Sequence, residues 1–250
     1  MPPFSAKQYT EEGYTGPISL LSQEQAAIYR QAFFNAIGQD EKKPGPAKSS
    51  VSGFNLKHRW AHDIATHPIL LNHIEEVLGP NLMCWAMYFW YKEPHNTKYI
   101  PWHQDAVYWP MQPRINMTAW VALSPTFKEN GCLRIIPGSH KKWLDDHYQD
   151  LDSGAQFGRG LSADQVDESQ AIDLEMNPGD VIFFSEATLH SSTTNISNTP
   201  RVACSIRYTT PEVVFDTEEV FKRFDHVRPI LVRGEDTHHH NDAIAGKIPT

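Results

Sequence analysis

Cysteines and long apolar segments are scarce in this sequence. Its 250 residues include only 3 cysteines, Cys84, Cys132 and Cys204, which form no C-x-x-C pair and lie in apolar segments. This pattern excludes a disulfide-rich secreted scaffold and predicts reduced, buried thiols in a cytoplasmic protein. The longest apolar run, Leu82–Tyr91, has ten residues, whereas a membrane span needs about 20. The first residues show no signal-peptide pattern.

Positive charge is also limited. The chain has 22 Lys and Arg residues against 30 Asp and Glu residues, which gives a formal net charge of -8. We therefore expect a small-molecule ligand, and neither a nucleic-acid nor an anionic-membrane partner. The 7 Trp, 9 Tyr and 12 Phe residues are too many for a disordered chain. We expect a single domain over residues 1–250, while no pattern indicates the oligomeric state.

The sequence of residues 1–80 predicts a mostly helical flank. Ser22 and Gln25 match a capping box, and apolar residues recur at helical spacing after them. A second helix is predicted between Pro68 and Gly79, because proline suits a first helical turn and a Gly-Pro pair ends a helix.

From residue 81 the pattern changes to short strands separated by turns that contain Pro and Gly, with no helical segment between them. This arrangement favours a mainly β fold, a sandwich or jelly roll, over an alternating α/β sheet. We expect the core of this fold within residues 81–215. The predicted strands are Met83–Tyr91, Ile115–Leu123, Gly131–Ile136, Leu174–Met176, Val181–Phe184 and Val202–Thr209.

Two segments are predicted as long loops. Residues 40–53 are charged and rich in Pro, Gly and Ser, which is typical of a mobile loop. Residues 143–172 are polar and acidic, and we interpret them as an insert over one end of the barrel. Long loops in such a position often act as lids.

The segment Trp102-His103-Gln104-Asp105 contains the first candidate metal ligands. Residues i and i+2 of a strand point to the same side, so His103 and Asp105 can reach one metal ion. A second His would complete the two-His-one-carboxylate set of non-haem Fe(II) oxygenases. Roughly one His-x-Asp match is expected by chance, so the match alone is weak. Another match, His240-Asn241-Asp242, lies in a polar tail, where solvated surface is the main interpretation and adventitious metal binding the alternative.

His190 and Arg201 supply the missing groups. His190 ends a strand predicted to return to the core, and Arg201 follows eleven residues later at the start of an alternating strand. The planar guanidinium of Arg suits a bidentate contact with a carboxylate. On neighbouring strands, His190 and Arg201 would place a dicarboxylate between the metal and the guanidinium. A buried His–Asp hydrogen bond and a surface ion pair are the alternatives.

Four separated segments together resemble the phytanoyl-CoA hydroxylase (PhyH-type) family of Fe(II)- and 2-oxoglutarate-dependent dioxygenases, over about residues 55–215. Near the end of the chain, Arg207-Tyr208 and 233–236 are similar to its bacterial small-metabolite branch. The four segments are Trp102–Trp120, Asn130–His140, Pro178–His190 and Arg201.

This resemblance implies a double-stranded β-helix, which is a cupin-like jelly roll, with Fe(II) as cofactor and 2-oxoglutarate and O₂ as co-substrates. It implies that His103, Asp105 and His190 bind iron, and that Arg201 binds the distal carboxylate of 2-oxoglutarate. Four further co-substrate contacts are implied, at Ser192, Gln104, Trp120 and Tyr88.

Three residues are candidates for substrate contacts. Tyr108 and Trp109 follow the metal motif and are as compatible with a plain core role. Arg207 shares strand parity with Arg201, so its side chain could enter the barrel and hold an anionic substrate group, although a surface position is equally compatible.

The expected reaction is hydroxylation of a small polar metabolite, for example an amino acid or an aminophosphonate. Halogenases of the same family lack the triad carboxylate, and the presence of Asp105 therefore argues against halogenation. Two alternatives stay open. The chain could be a non-catalytic protein that binds a metal or 2-oxoglutarate, or an oxygenase that desaturates, cyclises or epimerises its substrate.

Overall fold

Two antiparallel β-sheets face each other as a jelly roll, which confirms the predicted fold class. The structure is a computed structural model, and it describes residues 3–38, 50–144, 148–150, 154–156, 159–223 and 226–250.

The major sheet has seven strands. Its main path runs through β1 (Tyr14–Ser19), β11 (Asp180–Ser185), β6 (Met117–Ala122), β13 (Arg201–Thr209), β3 (Leu82–Lys92) and β15 (Ile230–Arg233), and β2 (Ser50–Ser52) also pairs with β3.

The minor sheet has four strands. Their order is β10 (Ile172–Leu174), β7 (Leu133–Ile135), β12 (His190–Ser192) and β4 (Ile100–His103). Two short pairs lie outside both sheets, β5 (Met111–Gln112) with β14 (Val214–Phe215) and β8 (Gln149–Asp150) with β9 (Arg159–Gly160).

The two predicted helices form where their end signals lie. The Ser22 and Gln25 side chains complete a capping box at the start of the first, and the second has Pro68 in its first turn and ends at Gly79. The α-helices are α1 (Ala6–Glu12), α2 (Gln23–Ala36), α3 (Arg59–Ala65), α4 (Pro68–Leu78) and α5 (Thr217–Arg223). No helix in these described parts of the chain is long and apolar enough to cross a membrane.

The core divides at the major sheet, because its strands bury both faces. One face packs under the helices through alternate residues of β6 and β13. The strand residues are Met117, Ala119, Val121, Val202, Cys204 and Ile206, and their helical partners include Phe33, Leu70 and Ile74. The other face looks toward the minor sheet, where Trp120 and Ala203 pack with Leu133 and Ile135. The three cysteines are free and buried, as predicted.

The major sheet extends beyond residues 81–215, in which we expected all strands. β1 and β2 come from the flank predicted to be mostly helical, and β15 follows residue 215. β1 was missed because Gly16 and Pro17 weaken a strand pattern, but β1 lies at an edge of the sheet, where proline is tolerated. The prediction of a loop over 40–53 is wrong for Ser50–Ser52, and residues 40–49 lie outside the described part of the chain.

The insert 143–172 contacts the minor sheet where it is described. Trp102 of β4 forms an apolar cluster with Tyr148, Leu161 and Val166 of the insert. Leu161 also donates its backbone N–H to the carbonyl of Trp102, over 2.9 Å. The insert is thus attached next to the strand that ends at His103.

Candidate metal centre and co-substrate cavity

His103, Asp105 and His190 converge between the two sheets. His103 and His190 stand opposite each other in the antiparallel pair of β4 and β12, and Asp105 follows in a single 3₁₀ turn. The Asp105 Oδ1 atom lies 3.6 Å from Nε2 of His103 and 3.9 Å from Nε2 of His190. Three donor atoms that the sequence separates by up to 87 positions therefore surround one point.

Both imidazoles are oriented by a backbone carbonyl two residues earlier. The Nδ1 atom of His103 lies 2.8 Å from the Pro101 oxygen, and that of His190 lies 2.9 Å from the Thr188 oxygen. Because a carbonyl only accepts, each Nδ1 carries the proton and each Nε2 keeps its lone pair. This is the tautomer that a metal requires, held by the kind of outer contact that metal-binding histidines usually have.

Burial and charge hold the triad in its metal-binding protonation state. Burial alone would raise the pKa of the Asp105 carboxyl, but the Arg207 guanidinium and the two imidazoles hold this pKa below its ordinary value. Burial, followed by the neighbouring His103, lowers the pKa of His190 to about 3. An ionised carboxylate and a neutral imidazole are the forms that ligate a metal.

The donor set fits an iron ion. The three ligand atoms lie within 4.8 Å of one another, all three residues are buried, and two imidazoles with one carboxylate leave coordination positions open. The described residues contain one other such group, Asp236, His239 and Asp242, in which the last two are exposed. His240 of the second His-x-Asp match is exposed and belongs to neither group.

A cavity extends from the triad between the sheets. Its wall includes all three ligands together with Arg201, Ser192, Trp120 and Arg207. The structure therefore brings the triad and Arg201 to one cavity.

Arg201 is a buried cation without an anionic partner. It is 1% exposed, its Nε atom has no hydrogen-bond partner, and no described carboxylate lies within ion-pair distance. Burial lowers the pKa of its guanidinium to about 10, and its Cζ atom lies 5.7 Å from the centre of the Trp120 ring. An unpaired charge in such a place is costly, and the carboxylate of a ligand would satisfy it.

Ser192 lies on the same wall. It is 4% exposed, and its hydroxyl has no hydrogen-bond partner. Ser192 and His190 alternate on one face of β12, so the hydroxyl enters the cavity. An unsatisfied buried hydroxyl next to an unpaired guanidinium fits a bound carboxylate.

A second buried cation lies beside Arg201, and sequence reasoning missed it. Lys92 is 2% exposed and is the register partner of Arg201 on β3. Its Nζ atom donates to the carbonyls of Lys98, Ser192 and Thr193. Burial and the Arg201 charge lower the pKa of the Lys92 ammonium well below its ordinary value. The only signal in the sequence is a charged residue that directly extends an apolar run.

The sequence and the fold of this chain are similar to those of known proteins. A family model for phytanoyl-CoA dioxygenase (PhyH) matches residues 9–203. A probable phytanoyl-CoA dioxygenase of Caenorhabditis elegans is 27% identical over 226 residues, which cover 80% of this chain and 72% of that protein. A Stutzerimonas stutzeri protein, a probable alpha-ketoglutarate-dependent hypophosphite dioxygenase, is 27% identical, covering 81% and 76%. The apo structure of the non-heme monooxygenase ThoJ has a TM-score of 0.77 and 25% identity, covering 98% and 88%.

The family model spans most of the chain. The chain belongs to the phytanoyl-CoA dioxygenase family. It is thus a non-haem iron oxygenase that uses 2-oxoglutarate, as the motifs predicted, and its triad is the metal-binding group typical of such enzymes. The chain spans 44% of the length of two mammalian phytanoyl-CoA dioxygenases that it also matches, and their substrate is not assigned to it.

Gln104 does not take the place that the family resemblance implied. Its amide nitrogen donates to the carbonyls of Lys142 and Ala187, each over 2.7 Å, and its amide oxygen accepts from the N–H of Leu144 over 2.9 Å. The side chain is fully buried outside the cavity wall. The reason is strand alternation, which turns Gln104 away from the face that carries His103.

Tyr88 also differs from its expected place. It is absent from the cavity wall, and its ring lies against Arg207, with Cζ 4.5 Å from the ring centre. Trp109 packs on the same guanidinium at 4.6 Å. Tyr108 lies nearer the insert, since its hydroxyl donates to the carbonyl of Arg159 over 2.7 Å.

Arg207 enters the barrel, which is one of the two positions that the sequence left open for it. It is 6% exposed and lines the cavity. Its Nη2 atom lies 3.2 Å from Oδ1 of Asp105, so one guanidinium group contacts a metal ligand.

Proposed function

We propose that this enzyme hydroxylates a C–H bond of a small, polar, anionic metabolite, with release of succinate and CO₂ from 2-oxoglutarate and O₂. The observation that carries the proposal is Arg201, a buried guanidinium in the cavity of the metal triad that has no counter-ion among the described residues. When bound, Fe(II) and 2-oxoglutarate supply, with O₂, the oxidant that removes the hydrogen atom.

The residues have distinct tasks in this proposal. His103, Asp105 and His190 hold the iron on one side and leave the other side open. Arg201 and Ser192 bind the distal carboxylate of 2-oxoglutarate, and Trp120 forms the adjacent wall. The apolar groups Leu133 and Phe184 line the same cavity and exclude water from it.

The charges of the loaded site support an anionic substrate. Asp105 and Arg207 neutralise each other, and a divalent iron neutralises the dianion of 2-oxoglutarate. The charge of Arg201 then remains, beside the Lys92 ammonium, and in a poorly solvated cavity this favours an anionic substrate. The relative named for hypophosphite, a small anion, agrees with this inference. The three buried thiols support a cytoplasmic location as part of the proposal.

Anaerobic titration tests the centre itself. Fe(II) and 2-oxoglutarate should give the weak visible charge-transfer band of the chelate, and His103→Ala should lose it. His240→Ala, in the other His-x-Asp match, is the matched control and should keep the band. A band that survives in His103→Ala would refute the assigned metal site.

A substrate screen tests the reaction. Succinate formation should rise with small carboxylates, amino acids, phosphonates or phosphinates, and less with neutral or cationic analogues. The product should gain 16 mass units if it is hydroxylated and lose two if it is desaturated or cyclised. Stimulation by cations alone would refute the anionic substrate, and no turnover with any compound would favour a binding protein.

A further inference from the structure

We propose that Arg207 is a positioning residue for the metal centre, which holds the Asp105 carboxylate in place and acts as its counter-ion until the metal binds. This inference rests on the proposed metal site, and it assigns Arg207 to the iron ligand instead of to the substrate.

Asp105 differs from the other two ligands in how it is supported. His103 and His190 lie on paired strands, and a carbonyl fixes the ring of each. Asp105 lies beyond the strand end, in a 3₁₀ turn. The Nη2 atom of Arg207 donates to its carboxylate over 3.2 Å. The orientation of this ligand therefore depends on the guanidinium.

Arg207 is itself held firmly. Its Cζ atom lies 4.5 Å from the ring centre of Tyr88, 4.6 Å from that of Trp109 and 5.6 Å from that of Trp85. These three rings form an aromatic box, and guanidinium groups stack favourably on such faces.

Polar contacts hold two of the three rings of this aromatic box in place. The indole of Trp85 donates to Asn116 Oδ1 over 2.6 Å, and the hydroxyl of Tyr88 contacts His226. The backbone of Arg207 lies between β3 and β6 in the major sheet. The major sheet thus fixes the guanidinium, and the guanidinium fixes a ligand that belongs to the minor-sheet side.

The positive charge of Arg207 also compensates the negative charge of the Asp105 carboxylate. A buried, ionised carboxylate without a counter-ion is strongly unfavourable. Before metal binds, His103 and His190 are the other groups near the Asp105 oxygen, and a backbone carbonyl holds each of their rings. After metal binds, the divalent ion compensates the same carboxylate. Arg207 therefore supplies the counter-charge of this carboxylate in the metal-free protein.

A double-mutant cycle with and without metal tests this. Arg207→Met is made in the natural background and in Asp105→Asn, and melting is followed in chelator and in saturating Ni(II), a redox-inert probe. In chelator, Arg207→Met should lower Tm by on the order of 10 °C in the natural background. The loss should be much smaller beside Asp105→Asn, and it should grow in Ni(II), because the variant also binds the metal more weakly.

Metal affinity gives the independent readout. Arg207→Met should raise the Kd for Ni(II) by about 10- to 100-fold, which is the usual effect of removing an outer contact of a ligand. Arg207→Lys keeps the charge but loses the stacked fork, and it should give an intermediate Kd. This second variant decides the matter if Arg207→Met does not fold.

Some results would overturn the proposal. An equal loss of Tm in both backgrounds, unchanged by Ni(II), would mean that Arg207 acts by packing alone. An unchanged Kd for Ni(II) in both Arg207 variants would exclude a positioning role. Failure of the unmutated protein to bind Ni(II) would instead refute the metal site itself, so the two failures are distinguishable.

Discussion

Arg201 and Arg207 lie on the same face of one strand, yet their surroundings differ. Both are buried in the wall of one cavity and both pack near aromatic rings. Arg207 has the Asp105 carboxylate at 3.2 Å, whereas Arg201 has no described acid within ion-pair distance. The protein therefore compensates one guanidinium internally and leaves the other for a ligand.

This difference indicates that Arg207 serves the stability of the folded protein and Arg201 the binding of a ligand. A paired buried charge contributes to the folded protein mainly because its partner would be costly alone. An unpaired one destabilises the free protein and is compensated only in the complex. Substitution should thus affect the stability of the free protein in opposite directions at the two positions.

Arg201→Met should have the largest effect. We expect the affinity for 2-oxoglutarate to fall by 100-fold or more, or about 3–4 kcal/mol, because the bound carboxylate loses its cation. The free protein should be as stable as before or more stable, in contrast to Arg207→Met. Calorimetric titration with 2-oxoglutarate in the presence of Ni(II), together with melting curves, measures both.

Arg59→Met, at an exposed helical position, is the control for loss of one positive charge. The comparison fails if Arg201→Met destabilises the free protein as much as Arg207→Met does.

Gln104→Ala should act on stability and not on recognition. The side chain makes three backbone hydrogen bonds, and their loss leaves buried groups unsatisfied. We expect a decrease of about 2–3 kcal/mol in the free energy of unfolding, with little change in the affinity for 2-oxoglutarate once metal is saturating. A large loss of that affinity with unchanged stability would restore the co-substrate contact that the resemblance implied.

Two buried carboxyl groups, Asp105 and Glu186, differ in the same way as the two guanidinium groups, since one has a partner of opposite charge and the other has none among the described residues. Asp105 has Arg207, but Glu186, which is 8% exposed, has no described cation within ion-pair distance, and burial raises its pKa to about 7. The folded state then holds a proton that the unfolded state releases above pH 4.5, so stability falls as pH rises from about 4.5 to 7. Tyr9 and Asp105 are the charged or titratable neighbours.

Glu186→Gln should remove this dependence. We expect the variant to be about 2 kcal/mol more stable than the natural protein at pH 8, and nearly equal to it at pH 4.5. Denaturant unfolding at the two pH values measures the difference. An equal effect at both values would show that the carboxyl does not titrate in this range.

Ser192→Ala should have the smallest effect. Its hydroxyl has no partner in the free protein, so stability should change little. Loss of one hydrogen bond to a bound carboxylate should weaken 2-oxoglutarate binding by about 5-fold, or about 1 kcal/mol. Ser19→Ala, at an exposed position of β1 outside the cavity wall, is the control and should leave this affinity unchanged.

Much of the site could be predicted because it depends on periodicity. His103 and the Arg201–Arg207 pair follow strand alternation, and the sheet places them on the inner face. The partner of Arg207 could not be predicted, because Asp105 lies in a turn whose direction alternation does not determine. Lys92 was missed because its partners are three carbonyls, and backbone groups leave no pattern in a sequence.

The fold was predictable for similar reasons where strands are central and apolar. It was not predictable at the edges, where β1 contains Gly16 and Pro17 and β2 consists of two serines and a valine. Such strands form because a neighbouring strand offers free backbone groups, and their own side chains carry little information.

Gln104 connects the segment at the start of the insert to the iron site through hydrogen bonds. It stands between two ligands, and Lys142, Leu144 and Tyr148 all hydrogen-bond to it. A displacement of this part of the chain must break these hydrogen bonds or move Gln104, the residue between His103 and Asp105. The positions of this segment and of two metal ligands are thus linked through a single residue.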